Sequence, residues 1–236
     1  MKSFRAALII GTLGVSCTFA VSSDFRCLRD HPLNVDIPQF SASNLSVLEA
    51  LLKLGQENKL CFGIETGSGI LEARVSTDLR NSSAGAAISA ILPNAYRFKV
   101  VESNGVIEIR LGTTPVDDVL STSIPIFQVP KAPMQAVSNA LRMQLASTLD
   151  PRIHGFAGEY ASGDLKDLVG PFSETAKSAR QLLNSLTASS TVGASWVALS
   201  VSRAHPDRIP WNLWRVIEYD RPVSQYIPLL QSLLGQ

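Results

Sequence analysis

The chain has 236 residues, 45% of them apolar, enough to bury a sizeable core as one large domain or two small ones. Its formal net charge is +1 and no run of basic residues stands out, which excludes the clustered Lys/Arg footprint of a nucleic-acid binder. A charged fraction of 17% is low but does not suggest a multi-span membrane protein, and only one segment is long and apolar enough to concern a bilayer.

That segment is the N-terminus. Lys2 and Arg5 form a short basic region, and residues 6–20 are an uncharged, mostly apolar run ending in Thr18-Phe19-Ala20, with small residues where a signal peptidase reads. This is the architecture of a secretory signal cleaved near Ala20, and it predicts a periplasmic or secreted mature chain with no integral membrane span. Two alternatives are a lipoprotein signal ending at Cys17 and an uncleaved N-terminal anchor. Gly14-Val15-Ser16 lacks the large aliphatic residue the first prefers, and the run is short of the ~20 apolar residues the second needs. Cleavage removes two bases and no acid, taking the formal charge from +1 to −1. It also removes Cys17 and leaves Cys27 and Cys61, a pair compatible with a disulfide that ties the N-terminal arm, residues 21–36, to the strand after the first helix. The other reading of Cys61, in Leu60-Cys61-Phe62, is a small buried hydrophobe.

Residues 37–42 read as a short strand, with Pro38 near its start, where a missing N–H is tolerable. Ser46-Val47-Leu48-Glu49 is a capping box, and Val47, Ala50, Leu51 and Leu54 recur at helical spacing, predicting a helix over 46–57 that Gly55 and Asn58 stop. Residues 60–65 are a strand candidate, Thr66-Gly67-Ser68-Gly69 a turn, and 70–79 an extended segment. Ser83 opens a second helix whose apolar face is Ala84, Ala87, Ile88, Ile91 and Leu92. Residues 96–100 and 106–110 alternate with period two around Ser103-Asn104-Gly105. Asn-Gly between alternating runs is a strong hairpin signal, because both residues tolerate positive φ.

After a polar linker, residues 112–123, the order begins again. Residues 124–129 match the first strand, with Phe127 where Phe40 stood, and Pro133 opens a helix continued by Val137, Leu141 and Leu145. Ser178-Ala179-Arg180-Gln181 is a second capping box followed by Leu182, Leu183 and Leu186. Residues 196–201 and 214–219 stand where the first hairpin's strands stood, with the Asn-Gly turn replaced by a longer loop and the middle, 150–174, expanded. The chain is therefore expected to be α+β, two small domains over 37–111 and 124–220, each in the order β-α-β-β-α-β-β, with a C-terminal amphipathic tail over 221–236.

The order Phe40, Leu45-Ser46-x-x-Glu49-Ala50-Leu51, residues 60–64, Asp78-Leu79-x-Asn81-x-Ser83, Ala87-Ile88-x-x-Ile91-Leu92, then a Tyr-x-Phe strand and a hairpin, resembles the short N-terminal domain shared by secretins and TonB-dependent receptors of the bacterial envelope. The resemblance covers residues 37–110 well and 124–219 weakly. It implies two helices packed on small two- and three-stranded sheets, and a non-catalytic docking role toward an envelope protein. Neither an outer-membrane barrel nor a secretin ring-forming domain fits after residue 110, so pore and transport functions do not carry over. Edge strands of such sheets offer sites for strand addition by a partner, and homo-oligomers are a further option.

Chemistry is sparse by comparison. His31, His154 and His205 are followed by Pro or Gly or lie in polar loops, none is at i, i+4 from another, and Cys27 and Cys61 lack metal-site spacing, so neither metal ligands nor a cofactor are expected. There is no Gly-x-Ser-x-Gly elbow; Gly193-Ala194-Ser195-Trp196 lacks the second glycine and precedes a strand. Glu159, Asp164 and Asp167 cluster in the 150–174 insertion, where an alternative reading, a small hydrolase-like envelope enzyme, would put its site. For binding, Trp211, Trp214 and Arg215 around the late hairpin and Leu230 and Leu233 in the apolar stripe of the tail are the candidate interface residues, against a competing reading in which Trp214 is core.

Overall fold

The computed structural model describes residues 27, 30–66, 73–111, 119–152, 167–199 and 213–226. The expected signal, Cys17, the Gly67-Ser68-Gly69 turn, His154, Glu159, Asp164, His205, Trp211, Leu230 and Leu233 lie outside the described residues. The protein is α+β. In the first half, β1 (Asp36–Ser46), α1 (Val47–Asn58), β2 (Cys61–Thr66), β3 (Arg74–Ser83), α2 (Ala84–Ile91), β4 (Phe98–Ser103) and β5 (Val106–Leu111) follow one another. The second half contributes β6 (Ser123–Val129), β7 (Ala132–Pro133), α3 (Met134–Leu149), β8 (Leu168–Val169), β9 (Phe172–Ser178), α4 (Ala179–Ala188), β10 (Ala194–Leu199) and β11 (Trp214–Glu218).

Local chemistry fixes the helix starts. Ser46 Oγ accepts from the Glu49 N–H at 3.2 Å while Glu49 Oε2 accepts from the Ser46 N–H at 2.6 Å, so two otherwise orphaned donors at the start of α1 are satisfied reciprocally. Ser178 and Gln181 do the same for α4, at 3.2 and 2.9 Å. The end of α1 departs from the sequence reading. Gly55 stays inside the helix and Lys59 takes the left-handed conformation, φ 56°, that closes it. Gly55 is small for a packing reason: a Cβ there would lie 2.8 Å from the Leu60 carbonyl and run into the Tyr219 hydroxyl.

β1 pairs antiparallel with β3, and β6 with β9, as separate two-stranded sheets. β2, β5 and β4 of the first half lie side by side, but they are not the separate three-stranded sheet expected of a small domain. β10 lies parallel to β2, with Trp196 beside Gly63, so one five-stranded sheet in the order β11-β10-β2-β5-β4 runs through both halves. Side chains alternate across it. Phe62, Ile64, Ile107, Ile109, Val197 and Ile217 join the core formed with α1 and α2. Trp196, Ala198, Trp214 and Val216 join the core formed with α3 and α4. The central sheet is thus covered by helices on both faces, which leaves its two edges as the places where backbone polar groups can meet something outside the fold.

Candidate functional site

The register of the β4–β5 hairpin decides which backbone groups face out. Asn104 and Gly105, at φ 53° and 74°, form a two-residue turn closed by the Ser103–Val106 pair. Hydrogen-bonded and non-bonded pairs alternate from there, so Ser103, Val101 and Lys99 turn their N–H and C=O toward β5. Phe98, Val100 and Glu102 turn theirs outward. No described strand pairs with this edge, and no described side chain bonds to those outward groups.

The opposite edge is closed. The Tyr219 N–H donates to Gly193 O at 2.8 Å, so alternation aims the carbonyls of Val216 and Trp214 away from β10. Both are taken by α3: Gln135 Nε2 donates to Val216 O at 3.1 Å, and Arg142 Nη2 to Trp214 O at 2.9 Å. The Arg142 guanidinium also lies 5.2 Å from the centre of the Trp214 ring. Its burial, and then the nearby Arg215, lower its pKa to about 10, so it stays a cation at neutral pH and caps the edge with a charge. One edge of the central sheet is covered by α3, and the other has no partner among the described residues.

At its turn end the open edge runs into a cleft of ≈ 610 Å³. Its walls come from the N-terminal arm (Asp30, His31), the β4–β5 turn (Glu102 to Gly105), the start of β9 (Phe172, Glu174) and the end of α4. Three carboxylates face it and none of its described lining residues is Lys or Arg. Glu102 is held in place, its Oε1 accepting from the Leu33 N–H at 2.7 Å and its Oε2 lying 3.5 Å from His31 Nδ1.

A second polar group is internal. Glu65 on β2 and Glu108 on β5 are both buried between the central sheet and α4. Arg180 reaches Glu65 Oε2 through Nη2 at 2.6 Å and Nε at 3.2 Å, and Ser121 through Nη1. Arg110 donates to Glu108, as does Asn184, whose Oδ1 accepts from Trp196 Nε1 at 2.8 Å. Burial, and then Arg180, lower the pKa of Arg110, with Glu65 opposing. Two carboxylates and two guanidiniums make the cluster neutral. Its geometry clamps α4 to β2 and β5, and the ion pairs occupy the lone pairs that acid–base chemistry would need.

The residues singled out from sequence fare differently. Cys27 and Cys61 are disulfide-bonded, with Cα atoms 5.6 Å apart, so the arm carrying Asp30 and His31 is tied to β2. Trp214 is not at an interface: it is fully buried, its Nε1 donating to Ser138 Oγ at 2.9 Å, because β11 turns it inward against α3. Arg215 is half-buried on the other face of β11. Ser195 is buried too, bonded to the Phe62 N–H and the Tyr219 hydroxyl. Asp167, one of the acids of the 150–174 insertion, is a buried anchor, accepting from Ser190 Oγ at 2.6 Å and from the N–H and hydroxyl of Thr191. Comparison with protein-family models, with curated proteins and with solved structures finds no match to the chain. Among the described residues no group of three or more His, Cys, Asp or Glu is arranged to hold a metal, and no helix is long and apolar enough to cross a membrane. The sequence reading offers strand edges as docking sites without saying which one. The Asn-Gly turn carries the parity of the outward groups of β4, but nothing local says which edge of the sheet is left uncovered.

One carboxyl beside the closed edge is shifted by its surroundings. Burial, then Asp167 and Asp220, push Glu218 up from 4.5 to about 7. A carboxyl with a raised folded pKa binds its proton more tightly in the fold than in the unfolded chain. The stability this brings is present in full below about pH 4.5 and is lost as pH rises through about 7. Glu218→Gln is therefore expected to flatten the decline in melting temperature between about pH 5 and pH 8, as followed by circular dichroism.

Proposed function

We propose that this chain is an exported, non-catalytic docking protein of the bacterial cell envelope that takes up a strand of a protein partner on the outer edge of β4. The observation that carries the reading is the asymmetry of the central sheet: α3 covers the outward carbonyls of β11, whereas the outward groups of Phe98, Val100 and Glu102 have no described partner. A strand whose outward N–H and C=O groups have no described partner is a template for strand addition. The signal-like N-terminus and the likeness of the element order over residues 37–110 to the secretin and TonB-receptor short domain support an envelope docking role. The recurring order over 124–219 supports a tandem of such modules sharing one sheet.

The test is site-specific photocrosslinking in the native envelope, with a photoreactive residue at Val100 or, as control, at Arg215 beside the closed edge. A discrete heterologous adduct from position 100, and none from 215, is expected. Equal adducts from both positions, or none from 100, would contradict the edge assignment, and an adduct of twice the chain mass would replace the envelope partner with a second copy.

A further inference from the structure

We infer that the strand accepted by β4 runs antiparallel to it and is bipolar, with a basic residue at its N-terminal end and an acidic one at its C-terminal end. This rests on the docking reading and adds the chemistry of the occupant. The edge is six residues long, about 20 Å at the rise of an antiparallel strand, and offers three outward residues, so it matches a partner segment of about five or six residues.

The two ends of that edge differ in charge. The turn end opens on the cleft walled by Asp30, Glu102 and Glu174, with no Lys or Arg among its described lining residues. The last residues of α4 add the partial negative charge of a helix C-terminus, since Ser185, Ala188 and Ser189 line the same cleft. At the other end Arg97 and Lys99 are exposed. Tyr96 stands there as well, 44% exposed and edge-on to Phe98 at 6.4 Å between ring centres, an aromatic surface for an apolar side chain of the incoming strand. A cation of the occupant is therefore favoured at the Ser103 end and an anion at the Phe98 end. Antiparallel pairing is the more stable per residue, and it puts the occupant's N-terminus at the Ser103 end. Charge and direction together give a basic-first, acidic-last strand.

The probe is a pair of fluorescein-labelled peptides of about nine residues, alternating threonine and valine through the middle. One begins with two arginines and ends with two glutamates; the other has these ends exchanged. Fluorescence anisotropy at physiological salt is expected to give affinity for the basic-first peptide about tenfold or more above that for its counterpart, the gap narrowing as salt is raised. Val100→Pro removes an outward N–H without touching a bond to β5, a position where an edge strand tolerates proline, and is expected to abolish binding of both peptides. Asp30→Lys combined with Glu174→Lys, two substitutions outside β4, is expected to erase the preference while leaving the edge intact. Equal affinities for the two peptides would overturn the bipolar rule, and tighter binding of the acid-first peptide would overturn the antiparallel direction; both outcomes leave the edge reading standing. Binding that survives Val100→Pro unchanged would overturn the edge itself. Failure of both peptides to bind, with a heterologous crosslink still formed at position 100, would overturn the charge rule alone.

Discussion

Arg180→Ala is expected to destabilise the protein by about 3–5 kcal/mol, the usual cost of removing one partner of a buried ion pair. The figure follows from what is left behind. Glu65 is 2% exposed and its Oε2 accepts two of the guanidinium's N–H groups, so removing Arg180 leaves a buried carboxylate without its cation. The neighbouring Glu108 makes matters worse, because Arg110 and Asn184 satisfy it within the same neutral cluster and a lone Glu65 would unbalance that cluster by one negative charge. Urea unfolding of Arg180→Ala, Glu65→Gln and the double variant Glu65→Leu/Arg180→Met gives the check. The single changes should cost far more than the double, since swapping a buried pair for apolar side chains of similar volume is often close to neutral. Equal losses from single and double variants would mean that the pair contributes by packing alone.

Gly63→Ala is expected to cost about 3 kcal/mol, at the upper end for overpacking a rigid core. Glycine weakens a strand interior unless something approaches its backbone, and here the approach is an indole. Trp196 on β10 stands beside Gly63 on β2, and a Cβ at position 63 would lie 2.5 Å from its Cε2 and 2.8 Å from its Nε1. The ring has nowhere to go, since Trp196 is fully buried and its Nε1 is bonded to Asn184. For a chain of this size the loss corresponds to a fall in melting temperature of about 6–12 °C. Trp196→Leu in the Gly63→Ala background should recover part of it by making room, although it forfeits the bond to Asn184. This pair of changes isolates the β2–β10 junction, the seam through which the two halves become one sheet.

That seam marks the boundary of what the sequence could tell. The capping boxes at Ser46–Glu49 and Ser178–Gln181, the Asn104-Gly105 turn and the helical apolar faces are local signals, and each is found where its spacing put it. The partners of Glu65, Glu108 and Arg180 are not local. In sequence Glu65 is an acid at a strand end and Arg180 a base in the first turn of a helix, positions where charges are ordinarily solvated. Their burial comes from β10 pairing with β2 across more than a hundred residues, which no period of two or 3.6 encodes. Gly55 was misread for the same reason: a glycine near a helix end looks like a stop, and only the approach of Tyr219 from the far end of the chain explains it. Trp214 carried two readings in sequence, interface anchor because tryptophan beside arginine is what interfaces favour, or core, and it is core. The arginine that pairs with it is Arg142 of α3, and the contact seals a sheet edge inside the molecule.

The central claim is that β4 presents an open edge. Residue-resolved amide hydrogen exchange by NMR on the isolated protein tests it most directly. The inward amides of Lys99, Val101 and Ser103 are expected to be protected by their bonds to β5, whereas those of Phe98, Val100 and Glu102 should exchange far faster despite lying in the same strand, and should slow when the basic-first peptide is added. Uniform protection of all six amides in the free protein would mean that something already covers the edge, and would contradict the account.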